Sequence, residues 1–501
     1  MNSWQAGLCA GGHTFGFSRI GDAEARAQFG GGDLGAAHMA LVSGAADSSA
    51  TYASQLEYVP VAQSALVVAY NIDYSLYRGT PNYASKDGTK VHNLRLNQRI
   101  VAKLLTQSYP CDTPGVAAGN PDIASNPRCL TVDPEFLQLN PDFADFTQVE
   151  PQGLMVAFGN ADAYAHVWSW IRANADAKAF IEGQADGWGM KVNPAYQALG
   201  LTEGEPSVSF PKADLHTNAD VADIPPYGTL DMRPYFNSLD ETGLRALRAD
   251  GNVKTNWDPY KLPAPGAYVA GGPQSTGQRF ALALTDLATA YKYGLDVASL
   301  QGTVSGNFVQ PTTESIQKAI SSRVATSVAG ISATDWTKSV SDAYPLSEVT
   351  YSAVNVCSAT TDERSAYVAF LKYVGHAGQT LSYESGGLPY GYVPLPSSNQ
   401  GQIASVAADI AAPANKASRC PDAAVAPSIP DSSGLGNTSG GVKGKKMFIA
   451  KPFYGAGETI DNLPIISRML AAGGYALGVP LVLIGYLVMR RQREETERKN
   501  T

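Results

Sequence analysis

Charge is scarce in this chain. Only 16% of its 501 residues are Asp, Glu, Lys or Arg, and the formal net charge is −8. A broad basic surface is therefore missing, which excludes general nucleic-acid binding. The six histidines (His13, His38, His92, His166, His216 and His376) are scattered, and none stands one helical turn from another. There is no HExxH, GxSxG elbow, Walker loop or EF-hand loop. With no legible nucleophile or ligand cluster, the sequence reads as a non-enzyme without cofactor or metal. Cysteines number five. None has CxxC or Cys/His ligand spacing, so zinc is excluded as well.

What is present reads as a folded, exported protein. Hydrophobic residues make up 44% of the chain, enough for a sizeable core. Cys111 and Cys129 bracket a Pro/Gly/Asn-rich loop, and Cys357 and Cys420 bracket a later block. In an oxidising compartment these read as two loop-tying disulfides, with Cys9 left over. Closing the shorter loop contributes about 3 kcal/mol. The uncharged run Met469 to Met489 has the length of a membrane-spanning helix. Arg490, Arg491 and Arg493 follow it at once, as on a cytoplasmic flank. The expectation is a single-pass cell-membrane protein with its N-terminal head outside and a short cytoplasmic tail. MNSWQAGLCAGGHTF has no basic region followed by an apolar stretch, so the N-terminus is read as truncated.

Residues up to about 415 alternate strand-like runs (SALVVAYNI, GLMVAF, VTYSAVNV) with helix-period segments, as an α/β protein does. The helical segments are NLRLNQRIVAKLLT, AYAHVWSWIRANADAKAFI and RSAYVAFLKYVGHA. Residues 416–468 are rich in Pro, Ser and Gly at their start and read as a spacer. GGDLGAAHMAL, residues 31–41, reads either as a Gly-rich anion loop or as a turn entering a helix. Trp168, Trp170, Tyr291 and Tyr293 read as core or surface rather than as a sugar platform.

GGDLGAAHMAL resembles the DFGASDAPL segment of the PstS-like, phosphate-binding periplasmic proteins. YVPVAQSALVVAYNI, SGNFVQPTTESIQKAI, YPLSEVTY and LPYGYVPLP are similar to further blocks of that family, in the same order, within residues 16–396. WDPYKLPAPGAYVAGGPQSTGQRFALALTDLATAYKYGL looks like an actinobacterial, membrane-anchored elaboration. The resemblance implies a type II periplasmic-binding-protein fold, two lobes with two hinge crossings, plus one C-terminal transmembrane helix. Lobe one would comprise 1–72 and 346–415, and lobe two 73–345, followed by the spacer 416–468, helix 469–489 and tail 490–501. The partners implied are a small polar solute or anion, and an ABC permease or a surface protein.

Carried over residue by residue, the resemblance puts Gly21, Asp22, Ala36, Ala37, His38, Asn160, Asp162, Ala163 and Tyr164 at the ligand cleft. The family's serine hydroxyls fall on Asp22, Ala37 and Asp162, its carboxylate on His38, its threonine on Tyr164 and its arginine on Phe158. Charge-assisted hydrogen bonds contribute roughly 1.5–3 kcal/mol each, so these losses argue against tight phosphate binding. Asp22 and Asp162 would further repel a dianion. Two readings follow: an anchored solute receptor with an altered ligand, or a ligand-free binding-protein fold serving as a surface interaction protein.

Overall fold

The 17-residue strand Leu56–Ile72 organises the molecule because almost every side chain along it is buried. In the computed structural model, the residues described are 1–12, 14–18, 20–30, 37–112, 121–147, 153–213, 235–251, 254–258, 260, 267–270, 272–412 and 420. The main sheet contains β1 (Met39–Val42), β2 (Leu56–Ile72), β3 (Leu154–Ala157), β4 (Tyr235–Phe236), β5 (Phe280–Asp286), β6 (Asp296–Val297) and β7 (Ser347–Asn355). Its strand order is β1-β7-β2-β5-β3-β4, with β6 also paired to β2. The pairs β1–β7, β7–β2 and β2–β5 are antiparallel, whereas β3 is parallel to both β5 and β4.

β2 changes partner partway along. Leu56 to Ala65 pair with β7, and Leu66 to Ile72 pair with β5. Pro60 is tolerated within it because the register slips there: Tyr351 faces Pro60 while Thr350 faces Ala62, which leaves Val61 as the extra residue of a bulge.

The helices used below are α1 (Asp22–Ala27), α2 (Gln98–Leu105), α3 (Asp162–Arg172), α4 (Ala175–Ile181), α5 (Leu239–Arg248), α6 (Thr313–Ser321), α7 (Thr361–Val374) and α8 (Ser397–Ala411). The expected helix over AYAHVWSWIRANADAKAFI is two helices. Asn174 separates them by accepting a hydrogen bond from Ala177 N, an N-cap for α4. The buried apolar side chains form several clusters. One cluster, containing Trp168 and Trp170, draws on residues from Ala65 to Leu346 together with Val393. A second joins Trp4, Leu8 and Phe15 to Val354, Phe370 and Ile403.

Cys111 is bonded to Cys129, and Cys357 to Cys420, while Cys9 is free and exposed. The expected membrane helix, spacer and tail, apart from Cys420, lie outside the described residues. Among the described residues no helix is long and apolar enough to cross a membrane.

Candidate functional site: a carboxylate at a helix N-terminus

Gly21 begins α1 in extended backbone and delivers Asp22 to its first turn. The Asp22 carboxylate is held at both oxygens. Oδ1 accepts from Ser43 N at 3.1 Å, and Oδ2 accepts from Asp162 N at 3.1 Å. Asp162 is the first residue of α3, so that N–H is one that no intrahelical carbonyl can take. A negative group is favoured at this end of the helix dipole. The chain thus places its own carboxylate at the kind of position an anion would seek.

Asp162 in turn receives the guanidinium fork of Arg26. Nη1 lies 2.5 Å from Oδ2, and Nη2 lies 2.8 Å from Oδ1. Arg26 Nη1 also reaches Gly44 O at 3.4 Å. The approach is close enough to require glycine twice. A Cβ on Gly21 would stand 2.5 Å from Asn160 O, and one on Gly44 would stand 2.8 Å from Asp162 Oδ2. Gly21 and Gly44 are therefore packed closely against Asn160 and Asp162 at the start of α3.

Burial is the main cause of a raised Asp22 pKa, which moves from 3.8 to about 6, and the Asp162 charge adds to it. The N–H groups of Asp162 and Ser43, with Arg26, act in the opposite direction. The folded state therefore takes up a proton between about 4 and about 6 that an unfolded Asp22 would not hold. The stability this proton contributes is full below about pH 4 and is lost as pH rises through about 6. Thermal melts should show the Tm difference between wild type and Asp22→Asn changing across that window and flat above about pH 7. A constant difference throughout would mean that Asp22 titrates as an ordinary carboxylate.

Of the residues the sequence assigned to the cleft, the fold joins Gly21, Asp22, Asn160 and Asp162. His38 is engaged elsewhere: its Nδ1 lies 3.1 Å from Glu363 Oε2, in the capping box that opens α7. Tyr164 is buried and packs on Phe210 with centroids 4.6 Å apart. Burial, then the Asp22 charge, pushes its phenol up to about 12. Ala163 packs against the large core beside it. Ala36 lies outside the described residues, as do residues 31–35, while Ala37 is partly buried. The expected turn into a helix is corrected: Met39–Val42 is a strand, its short apolar run paired with Val354 to Tyr351 of β7.

Phe158, at the family's arginine position, stacks on Tyr235 at 5.0 Å. The cation of the site is instead Arg26, which the sequence reading passed over. Its signal was the spacing from Asp22, four residues on and one helical turn away. Trp168 and Trp170 are buried, and their indole N–H groups donate to Ser209 O and Gln301 O. Tyr291 is exposed. Among the described residues no group of three His, Cys, Asp or Glu could hold a metal ion.

No family model matches the chain, and no curated protein matches it. Solved structures similar to it include a high-affinity periplasmic phosphate-binding protein (PfluDING) bound with phosphate. That match has 11% identity, covers 78% of this chain and 85% of that one, and has a TM-score of 0.38. A phosphate-binding protein from Stenotrophomonas maltophilia matches at 10% identity, with 74% and 80% covered and a TM-score of 0.32. An ABC-type phosphate transport receptor from Vibrio cholerae matches at 12% identity, with 67% and 74% covered and a TM-score of 0.25. With TM-scores below 0.5 these overlays decide nothing about the site, which is read from this chain's own residues.

Proposed function

We propose that this chain is a membrane-anchored, extracytoplasmic protein on a PstS-like, two-lobed scaffold whose anion position is taken by its own Asp22 carboxylate. Its role on this reading is surface interaction, without catalysis and without phosphate capture. The observation that carries it is the seating of Asp22 on the first N–H of α3, with Arg26 closing over Asp162. An incoming phosphate would have to displace a tethered carboxylate and then face the charge of Asp162. The two lobes, 1–72 with 346–415 and 73–345, rest on the resemblance, and the change of partner along β2 between Ala65 and Leu66 is in keeping with a crossing near that strand. The anchor rests on the uncharged run Met469 to Met489 and its arginine flank.

Calorimetry of the full chain in detergent with inorganic phosphate tests the reading. Wild type should show no saturable binding and no thermal stabilisation. A bound ligand at a hundredfold excess over Kd would add about 2.7 kcal/mol. Asp22→Ser, which vacates the position and restores a hydroxyl, should gain measurable phosphate binding. Saturable binding by wild type would overturn the proposal.

A second reading, a receptor for a small anion, rests on the proton that burial lets Asp22 take up in mild acid. Asp22 titrates near about 6, so mild acid neutralises the group that fills the site. On that reading, wild type binds phosphate or another small anion below about pH 5.5 and releases it above about pH 7.

A further inference from the structure

Residues 380–392 carry two tyrosines out to the surface and hold them together there. Tyr383 is 89% exposed and Tyr390 37%. Their rings stack with centroids 4.2 Å apart and planes 29° from parallel. Tyr383 thus rests on a second ring and turns the rest of its own ring to solvent. Exposed apolar side chains scattered singly need no explanation, but a stacked aromatic pair at the surface is not a product of core packing. The backbone beneath the pair is tied down from several sides. Leu388 N donates to Thr380 O at 2.8 Å and Ser382 N to Leu388 O at 2.9 Å, closing the loop that bears Tyr383. Within that loop Gly386 N donates to Ser3 O at 2.5 Å, and Gly386 O accepts from the Tyr373 hydroxyl of α7 at 2.5 Å. Glu384 N donates to Ser382 Oγ at 2.9 Å. Just past Tyr390, Gly391 O accepts from Ser64 Oγ of β2 at 2.9 Å, and Val393 N donates to Gln63 O at 2.8 Å. A ligand stacking on Tyr383 therefore has little loop ordering to offset.

We propose that the open face of Tyr383 binds a pyranose ring of a neutral, β-linked, gluco-configured glycan. The first argument is area. A stable protein interface takes roughly 800 Å² from each partner, far more than one tyrosine ring supplies. The residues that follow Tyr383, Glu384 and Ser385, are exposed and polar and do not extend the apolar surface. One aromatic ring matches one sugar. A gluco-configured β-pyranose sets its hydroxyls equatorial and its C–H bonds axial, so its faces are apolar and lie flat on the negative face of an aromatic ring. The second argument is the polar neighbour. Glu384 offers a carboxylate that accepts from sugar hydroxyls and that repels an anionic saccharide. The proposal adds a partner class to the surface role proposed above, while the binding itself rests on the ring pair alone.

The test is saturation-transfer NMR of the full chain in a zwitterionic, sugar-free detergent, titrated with cellotetraose and with tetragalacturonate. Cellotetraose should bind saturably, with transfer strongest to its axial C–H protons, and tetragalacturonate should bind more weakly. Tyr383→Ala, an exposed change that leaves the core alone, should weaken cellotetraose by about fivefold or more. Tyr383→Phe keeps the ring and loses only the hydroxyl, so its affinity should stay within about twofold of wild type. Absence of saturable transfer from wild type would overturn the proposal. So would cellotetraose affinity indifferent to Tyr383→Ala, an equal loss in Tyr383→Phe and Tyr383→Ala, or tetragalacturonate binding as tightly as cellotetraose. Because Tyr383 and Glu384 take no part in the Asp22 site, these results stand whether or not phosphate enters it.

Discussion

Lys103→Met should lower the unfolding free energy by about 3–5 kcal/mol, the cost of removing one partner from a buried ion cluster. The Lys103 side chain is fully buried on α2. Its Nζ lies 2.8 Å from Asp133 Oδ2, 2.8 Å from Glu135 Oε2 and 2.7 Å from Asp186 Oδ2. Arg99 shares Glu135, at 2.9 Å, and the Tyr109 hydroxyl donates to Asp133 at 2.6 Å. Burial works against the charge on Lys103, but the facing carboxylates more than offset it and raise its pKa. Glu135 and Asp186 are correspondingly held low, against their own burial. A methionine of similar length fills the space and leaves these carboxylates facing one another with Arg99 alone. Urea denaturation at neutral pH measures the loss. Because the stranded carboxylates take up protons more readily in the variant, its deficit relative to wild type should shrink as pH falls. A deficit under about 1 kcal/mol at neutral pH would show that the cluster does not hold this part of the fold.

Arg26→Met should cost about 2–3 kcal/mol and loosen the junction between α1 and the start of α3. The fork to Asp162 is only part-buried, with side chains 13% and 16% exposed, which places the expected loss below that of Lys103. The variant leaves Asp22 and Asp162 without the cation between them. Asp22 should then titrate still higher, since Arg26 is one of the groups that lower its pKa. Small-angle scattering should report a larger radius of gyration for the variant at neutral pH, narrowing toward that of wild type in mild acid. A double-mutant cycle with Asp162→Asn isolates the pair. A coupling near zero would mean that the segments are held together by packing alone.

The sequence made the strand scaffold legible and most of the ion pairs illegible, for a physical reason. β3 is a continuous apolar run, and β2 and β7 are β-branched and aromatic stretches interrupted by few polar residues, as strands buried along most of their length show. The two disulfides were legible from the placing of four cysteines in two pairs, Cys111 and Cys129 around a loop-forming segment and Cys357 and Cys420 around a later block. The convergence of Asp22 on Asp162 came only through resemblance to a family, because the two lie 140 residues apart. Arg26 reaches Asp162 across 136 residues, and His38 reaches Glu363 across 325. A side chain carries no local mark of so distant a partner. Lys103 is the plainest instance. On the periodicity of α2 it reads as one more solvated lysine, yet seven of the helix's eight residues are buried and Lys103 is among them. What made its burial tolerable lies at Asp133, Glu135 and Asp186, outside any window that periodicity can see.

The bond between Cys357 and Cys420 has a mechanical consequence. Cys357 lies two residues beyond the end of β7, and α7 and α8 fall within the covalent ring that the bond closes. A pull applied to the chain beyond Cys420 would reach the molecule at β7, bypassing α8. Without the bond the same pull would peel α8 from its C-terminal end, one turn at a time, through contacts that yield singly. With it, the load enters along a nine-residue strand whose ladder with β2 must shear as a unit. Oxidised and reduced protein should therefore differ far more in the force they withstand than in the temperature at which they melt.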